Sequence, residues 1–388
     1  MKEPLQVSES EKWHFEQGPV RPPSEARSLL LRVSRHCPWN RCTFCPLYKG
    51  KAFSLRSVED IRRDIDVVAR HLDTLRERLA GDRLDASVLA LWRDHLPAAE
   101  RAPFWAAALW LSGGLESVFL QDADGLIAGP VQLRAILDHL RKTFPWPFRV
   151  TAYARSKTVL RYRPEALLAL RQAGLSRLHI GLESGCDTVL RQVCKGASRA
   201  EHIMAGRRVR QAGIELSAYV MPGLGGRNLS ERHARDSASA LCAIDPEFIR
   251  LRTLAIPGGV PLAQEWLSGR FELCDSRELA RELLLFLQSL DAAHGELVSD
   301  HALNLFEDLS GRLPKDLPRL RSMVEAFLVL PDERRCLYLV GRRGGVLRGL
   351  ADLQDPGRQA AAAAICRKLG ATPDNVEEIC RLLMQRLI

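Results

Sequence analysis

Three cysteines fall within nine residues in the segment Ser34-Arg-His-Cys37-Pro-Trp-Asn-Arg-Cys42-Thr-Phe-Cys45, and no fourth cysteine or second cluster motif lies nearby. Thiolates so grouped in a reducing compartment point to metal, because a disulfide framework belongs to secreted chains. Iron–sulfur clusters usually take four thiolates, so three on one loop leave one iron of a [4Fe–4S] cube open to an outside ligand. An open position suggests chemistry, as it does on a catalytic zinc. Zinc itself, with His36 as fourth ligand, is the weaker reading: His36 and Cys37 are adjacent and point apart on a strand, and structural zinc sites generally pair two knuckles. The other seven cysteines, at 186, 194, 242, 274, 336, 366 and 380, never fall two residues apart and read mostly as small buried hydrophobes.

The elements that must position this loop follow an alternating order. Ser28-Leu-Leu-Leu-Arg-Val-Ser34 reads as a strand whose C-terminal end carries the cysteines. Ser57 and Asp60 form a capping-box pattern at the head of a helix. An Ala/Leu/Trp-rich stretch, about 78–115, reads as inserted helices. Strands are then predicted at 116–120, 149–153, 178–183, 215–220 and 248–254, with helices at 131–143, 164–173 and 200–212 between them. Six strands separated by helices imply parallel pairing with right-handed crossovers. The predicted fold is α/β, a partial (β/α)6 barrel with a helical insertion and a C-terminal helical extension. In such barrels functional groups gather at strand C-terminal ends, and Asp122, Asp124, Tyr153, Glu183 and Gly223 all lie there. Arg155 and Arg252 are further cavity candidates, as is Gly223-Leu-Gly-Gly226 for backbone approach to a ligand.

Composition sets the outer limits. The chain has 388 residues, 46% hydrophobic and 27% charged, which is ordinary for a globular protein and long for one core. The expected division is an N-terminal extension (1–27), a barrel (28–262), a helical extension (263–345) and a C-terminal hairpin (346–388) in which Thr372 caps the last helix. Residues 311–350 carry nine Arg/Lys against four Asp/Glu. That excess and the overall net charge of +9 permit an anionic partner such as RNA without requiring one. The start lacks a secretory signal's apolar core, and the longest apolar stretch, around 103–111, is shorter than the about 20 residues a bilayer requires. The expectation is a cytoplasmic protein with no membrane contact.

The cysteine loop after the first strand, together with His179-Ile-Gly-Leu-Glu-Ser-Gly185 and Cys194-Lys-Gly196, resembles the radical S-adenosylmethionine (SAM) enzymes over roughly residues 28–260. Ser299-Asp-His-Ala-Leu-Asn304 and Gly311-Arg-Leu-Pro314 are similar to a bacterial subgroup loosely named after oxygen-independent coproporphyrinogen oxidase. One departure stands out: four residues separate Cys37 from Cys42, where the family's loop has three. A wider turn at Pro38 and Asn40 accommodates the extra residue.

The resemblance implies that Cys37, Cys42 and Cys45 hold three irons of a [4Fe–4S] cluster and that SAM chelates the fourth. Reductive cleavage of SAM then yields a 5′-deoxyadenosyl radical that abstracts hydrogen from a substrate the sequence does not identify. It also implies a one-electron donor such as flavodoxin or ferredoxin. By the same resemblance Phe44 is the aromatic before the last cysteine, Gln121, Asp122 and Asp124 occupy the turn that receives the SAM amino group, and Glu183 faces the ribose or methionyl moiety. Lys195 pairs with the SAM carboxylate. Tyr153 is placed with the cofactor-binding residues by its position at a strand end alone. The alternatives are an RNA-modifying enzyme of the same kind and a cluster-bearing electron carrier or redox sensor without turnover.

Overall fold

A computed structural model describes residues 14–79 and 86–385. The first strand, β1 (Leu29–Arg32), runs into a small hairpin of β2 (Ser34–Arg35) and β3 (Ser54–Leu55) that brackets the cysteine loop. Helices α1 (Val58–Leu79), α2 (Ala86–Asp94) and α3 (Ala98–Ser112) follow. The alternation then runs β4 (Ser117–Gln121), α4 (Pro130–Thr143), β5 (Arg149–Ala154), α5 (Ser156–Arg161), α6 (Pro164–Gln172), β6 (Leu175–Glu183), α7 (Asp187–Gln192), α8 (Arg199–Gln211), β7 (Glu215–Val220), α9 (Gly226–Ile244) and β8 (Phe248–Leu251). After α10 (Pro261–Leu267) and α11 (Ser276–Gln288) come β9 (Glu296–Val298) and β10 (Gly311–Arg312), then α12 (Leu317–Leu328), α13 (Asp332–Arg343), α14 (Pro356–Leu369) and α15 (Val376–Gln385).

The sheet order is β1-β4-β5-β6-β7-β8-β9-β10, parallel throughout except for the last pair, and β1 does not meet β10. It is therefore an open, barrel-like sheet of eight strands where six were expected. The two additional strands have three and two residues, too short for an alternation pattern to reveal them.

Strand alternation divides the wall into two chemistries. Leu29, Leu31, Val118, Leu120, Val150, Ala152, Leu178, Ile180, Leu216, Ala218 and Ile249 are fully buried under the helices. The intervening positions turn to the concave side and, Gly181 apart, are polar or aromatic: Arg149, Thr151 and Tyr153 on β5; Arg177, His179 and Gly181 on β6; Ser217 and Tyr219 on β7; Arg250 on β8. A face built this way is a lining, not a second core. The segment expected to be an insertion belongs to the main core, since Trp110 of α3 is fully buried against Phe144, Trp146 and Phe148.

Local signals explain the helix starts. Ser57 accepts from the Asp60 N–H at 3.0 Å, and Ser198 with Glu201 and Asp275 with Glu278 make full capping boxes at α8 and α11. At the last helix Asn375, not Thr372, supplies the side chain: its Oδ1 accepts the Thr372 N–H at 2.8 Å and its Nδ2 donates to the Gly370 carbonyl at 2.9 Å. Many cations of 311–350 are engaged inside the chain. Arg343 is buried and donates to the Leu303 carbonyl at 2.6 Å, Arg342 pairs with Glu307 at 3.3 Å, Arg321 with Asp291 at 2.5 Å, and Arg319 donates to the Ser310 carbonyl at 2.6 Å. Among the described residues no helix is long and apolar enough to cross a membrane.

The N-terminal segment packs along the concave side. Gln121 accepts the Gly18 N–H at 2.8 Å and donates to the Gly18 and Val20 carbonyls, while Glu25, fully buried, meets Ser28, Arg149 and His179. Glu16 takes Arg32, Arg35 and Arg56. Burial alone raises the Glu16 pKa, but these guanidinium groups outweigh it and hold the carboxyl below its ordinary value.

Candidate active site at the strand C-terminal ends

The cysteine loop is fixed from three sides. His36 and Asn40 adopt left-handed backbone, φ 69° and 48°, and Asn is among the few residues that do so readily. The wider turn that the extra residue requires is thus centred on Asn40, whose Nδ2 donates to the Tyr48 carbonyl at 2.5 Å. Trp39 donates its indole N–H to the Cys194 carbonyl at 2.7 Å, Thr43 bridges the Val193 carbonyl and the Leu262 N–H at 3.0 Å each, and the Arg155 guanidinium lies 5.0 Å from the Trp39 ring. These bonds tie the loop to the end of β6–α7 and to α10.

Cys37, Cys42 and Cys45 line one wall of a cavity of about 310 Å³ with Phe44, Tyr48, Asp122, Tyr153, Glu183 and Lys195. Burial pushes the Cys42 thiol up, against the pull of nearby Lys195, and does the same to Cys45. Such thiols ionise only with a cationic partner. Among the described residues no three His, Cys, Asp or Glu side chains converge as ligands of one ion. Thiolates on a single zinc would sit about 3.8 Å apart, from a Zn–S bond of about 2.3 Å, whereas a cluster takes each thiolate on a different iron and needs wider spacing. His36 is turned away, its Nδ1 2.6 Å from the Ala52 carbonyl. The donor set fits a cluster better than zinc.

Opposite the thiols, β6 ends in a bulge between Gly181 and Glu183, with Glu183 at φ 64°. The bulge re-aims the side chain into the cavity, where Glu183 Oε1 accepts from Lys195 Nζ at 2.9 Å. Gly181 makes room for this pair: a Cβ there would lie 2.1 Å from Glu183 Oε1 and 3.1 Å from Lys195 Nζ. Burial works to lower the Lys195 pKa, but Glu183 and Cys42 prevail and raise it. Gly196, at φ 76°, likewise leaves space that a Cβ would take from the Trp39 ring, 2.5 Å away.

The three residues of the β4 turn diverge. Asp122 lines the cavity but is held by Arg32 at 3.0 Å, by the His36 N–H at 3.1 Å and by the Tyr48 hydroxyl. Gln121 and Asp124 lie outside the cavity lining. Gln121 is bound to the N-terminal segment, and Asp124, fully buried, accepts from Thr158 Oγ1 at 2.5 Å and the Arg155 N–H at 3.4 Å. Burial pushes the Asp124 carboxyl up to about 6 despite the Thr158 bond. The Gly223 turn is also structural, its Gly223 N–H donating to Glu282 Oε1 at 2.6 Å.

Lining residues that motif reading missed are Trp39, Tyr48, His202 and Tyr219. His202 is buried, with Nδ1 2.7 Å from Ser156 Oγ, while Nε2 has no protein partner; burial lowers its pKa to about 3. Alternation was the available signal for Tyr219, which pairs in register with Gly181. His202 comes from the face of a helix, and nothing local marks it.

With this geometry established, the chain can be compared with known proteins. Residues 106–237, about a third of the chain, match the model of the Radical SAM superfamily. Enzymes of this superfamily use a [4Fe–4S] cluster and SAM. A curated relative, 4'-phospho-dehydrooxetanocin synthase of Priestia megaterium, is 26% identical over 194 residues, which are 49% of this chain and 22% of that protein. Among solved structures, the cobalamin-dependent SAM radical enzyme OxsB aligns over 92% of this chain and 54% of its own (13% identity, TM-score 0.45). Methylornithine synthase (PylB) aligns over 76% and 69% (15%, TM-score 0.41), and coproporphyrinogen III oxidase (HemN) from Escherichia coli over 64% and 50% (14%, TM-score 0.41). The match thus spans about a fifth of the curated relative's length, and the chain about half of OxsB.

Proposed function

We propose that the chain is a radical SAM enzyme that uses Cys37, Cys42 and Cys45 to hold a [4Fe–4S] cluster and abstracts hydrogen from a substrate bound in the same cavity. The observation that carries the reading is the placement of three loop thiols and the Glu183–Lys195 pair on one cavity at the strand C-terminal ends. A [4Fe–4S] cluster held by Cys37, Cys42 and Cys45 would supply, when reduced, the one electron that cleaves the SAM sulfonium to methionine and a 5′-deoxyadenosyl radical. The residues of this chain bind and enclose. Lys195 offers its ammonium to the SAM carboxylate and Glu183 an acceptor to its hydroxyl or amino groups, both charge-assisted. Phe44, Tyr153 and Tyr219 exclude water from a radical that would otherwise be quenched. A small electron-transfer protein such as flavodoxin or ferredoxin is the proposed donor.

A carrier without turnover needs no such cavity beside its thiols, which favours the enzyme reading. The test is anaerobic reconstitution with iron and sulfide, reduction by dithionite, and assay for 5′-deoxyadenosine on adding SAM. Product formed by the parent chain and lost in Cys42→Ala supports the assignment; product retained by Cys42→Ala refutes that ligand.

A further inference from the structure

Past the cysteine wall the cavity continues to the end of β8, where the polar side chains divide sharply into paired and unpaired. Arg250, on the concave face, is committed to Asp300 at 2.6 Å and to Ser217 Oγ at 3.1 Å. Arg252, two residues on and therefore on the same face, lines the cavity and is solvent-exposed there. Its backbone N–H donates to the Val220 carbonyl at 3.0 Å, but among the described residues its guanidinium has no ion pair or hydrogen-bond acceptor. The other lining cations are engaged: Lys195 with Glu183, Lys157 with Glu201, and Arg155 with the Lys195 carbonyl at 3.3 Å and the Trp39 ring.

The acids are equally committed. Glu183 serves Lys195, and Asp122 is taken by Arg32, the His36 N–H and the Tyr48 hydroxyl. Near Arg252 stands Tyr219, whose hydroxyl is shut off from solvent and has no partner in the protein. An unpaired guanidinium presents a planar fork of donors that matches two oxygens of a carboxylate or phosphate, and an orphaned buried hydroxyl costs stability until something bonds it.

We propose that Arg252, with the Tyr219 hydroxyl, is a recognition site for an anionic oxygen group, a carboxylate or a phosphate, carried by the substrate. The inference rests on the proposed function for the identity of the occupant as substrate, while the anion site itself is testable without turnover. It also locates the anionic end of the substrate at the β7–β8 side of the cavity, where Tyr219 stands in register with Gly181.

The test titrates the purified full chain with inorganic phosphate and, separately, with malonate at constant ionic strength, and follows the thermal midpoint. One or both anions should raise it saturably, and Arg252→Gln should weaken that apparent affinity at least tenfold, with Arg252→Lys intermediate. A response to phosphate alone assigns a phosphoryl group, and one to malonate alone a carboxylate. Binding of S-adenosylhomocysteine should be the same in Arg252→Gln and the parent. No saturable response to either anion, or an equal response in Arg252→Gln, would overturn the proposal; so would a tenfold loss of S-adenosylhomocysteine affinity in that variant, which would give the cation to the SAM carboxylate. If the radical-enzyme reading alone fails, 5′-deoxyadenosine will be absent while the Arg252-dependent anion response persists.

Discussion

Replacing Gly181 by Ala tests whether the Glu183–Lys195 pair is built into the wall or merely adjacent to it. The backbone at Gly181 is not left-handed, so Gly→Ala in a strand should otherwise stabilise by roughly 0.5–1 kcal/mol. Here the new methyl would sit 2.1 Å from Glu183 Oε1, and ordinary contact requires the carboxylate to retreat by more than an ångström. That breaks a 2.9 Å charge-assisted bond between two groups whose side chains are each 14% exposed. Losing such a bond costs roughly 1.5–3 kcal/mol, a value placed at its lower end by the open cavity. The net change is about 0.5–1 kcal/mol of destabilisation. With an unfolding entropy of about 2.1 cal/mol/K per residue over a chain of this length, the thermal midpoint should fall by about 1 °C. The assay is a thermal melt of the metal-free chain in two backgrounds. In Glu183→Ala the obstacle is gone, so the same Gly181→Ala change should be neutral or should raise the midpoint. An equal shift in both backgrounds would refute the reasoning.

Other consequences follow from the same site. Trp39→Ala removes the indole bond to the Cys194 carbonyl and the ring under Arg155, so the reconstituted variant should lose iron to a chelator several-fold faster than the parent; equal rates would contradict the anchoring role. Asp124→Asn probes a carboxyl whose folded pKa of about 6 exceeds its ordinary 3.8. Between those values the folded chain binds more protons than the unfolded one, so stability falls as pH rises, and the variant should flatten that slope in denaturation measured across pH 4–6. His202→Gln has the opposite signature. The histidine pKa is lowered from 6.5 to about 3, so the parent gains stability as pH rises through that interval, and the variant should lose that gain. Arg343→Met leaves the Leu303 and Asn304 carbonyls without their donor in a buried setting and should destabilise by roughly 1–3 kcal/mol, read as a lower midpoint that is insensitive to salt.

Much of this site was legible because its logic is local. The cysteine spacing, the strand–loop–helix order and the Glu183 and Lys195 positions sit in short contiguous segments, and Tyr153, named only because it ends a strand, lines the cavity. What escaped depends on long-range geometry. Asp122, Gln121 and Asp124 are sequence neighbours, yet one faces the cavity, one bonds the N-terminal segment and one is buried against Thr158; no periodicity distinguishes them in a turn. His202 reaches the cavity from a helix whose capping box announces only where it starts. The net positive charge of 311–350 permitted an anionic partner without requiring one; Arg319, Arg321, Arg342 and Arg343 serve carbonyls and acids of their own chain, which composition cannot reveal. β9 and β10 were invisible because two or three residues carry no pattern; their neighbours define them.

The most direct measurement of the central claim is electron paramagnetic resonance of the reduced, anaerobically reconstituted protein with SAM isotopically labelled in its amino and carboxylate groups. If three thiolates leave one iron for SAM, the cluster signal should change on adding SAM and show hyperfine coupling to the labelled atoms. A four-iron cluster signal with no coupling and no change on adding SAM would contradict the account.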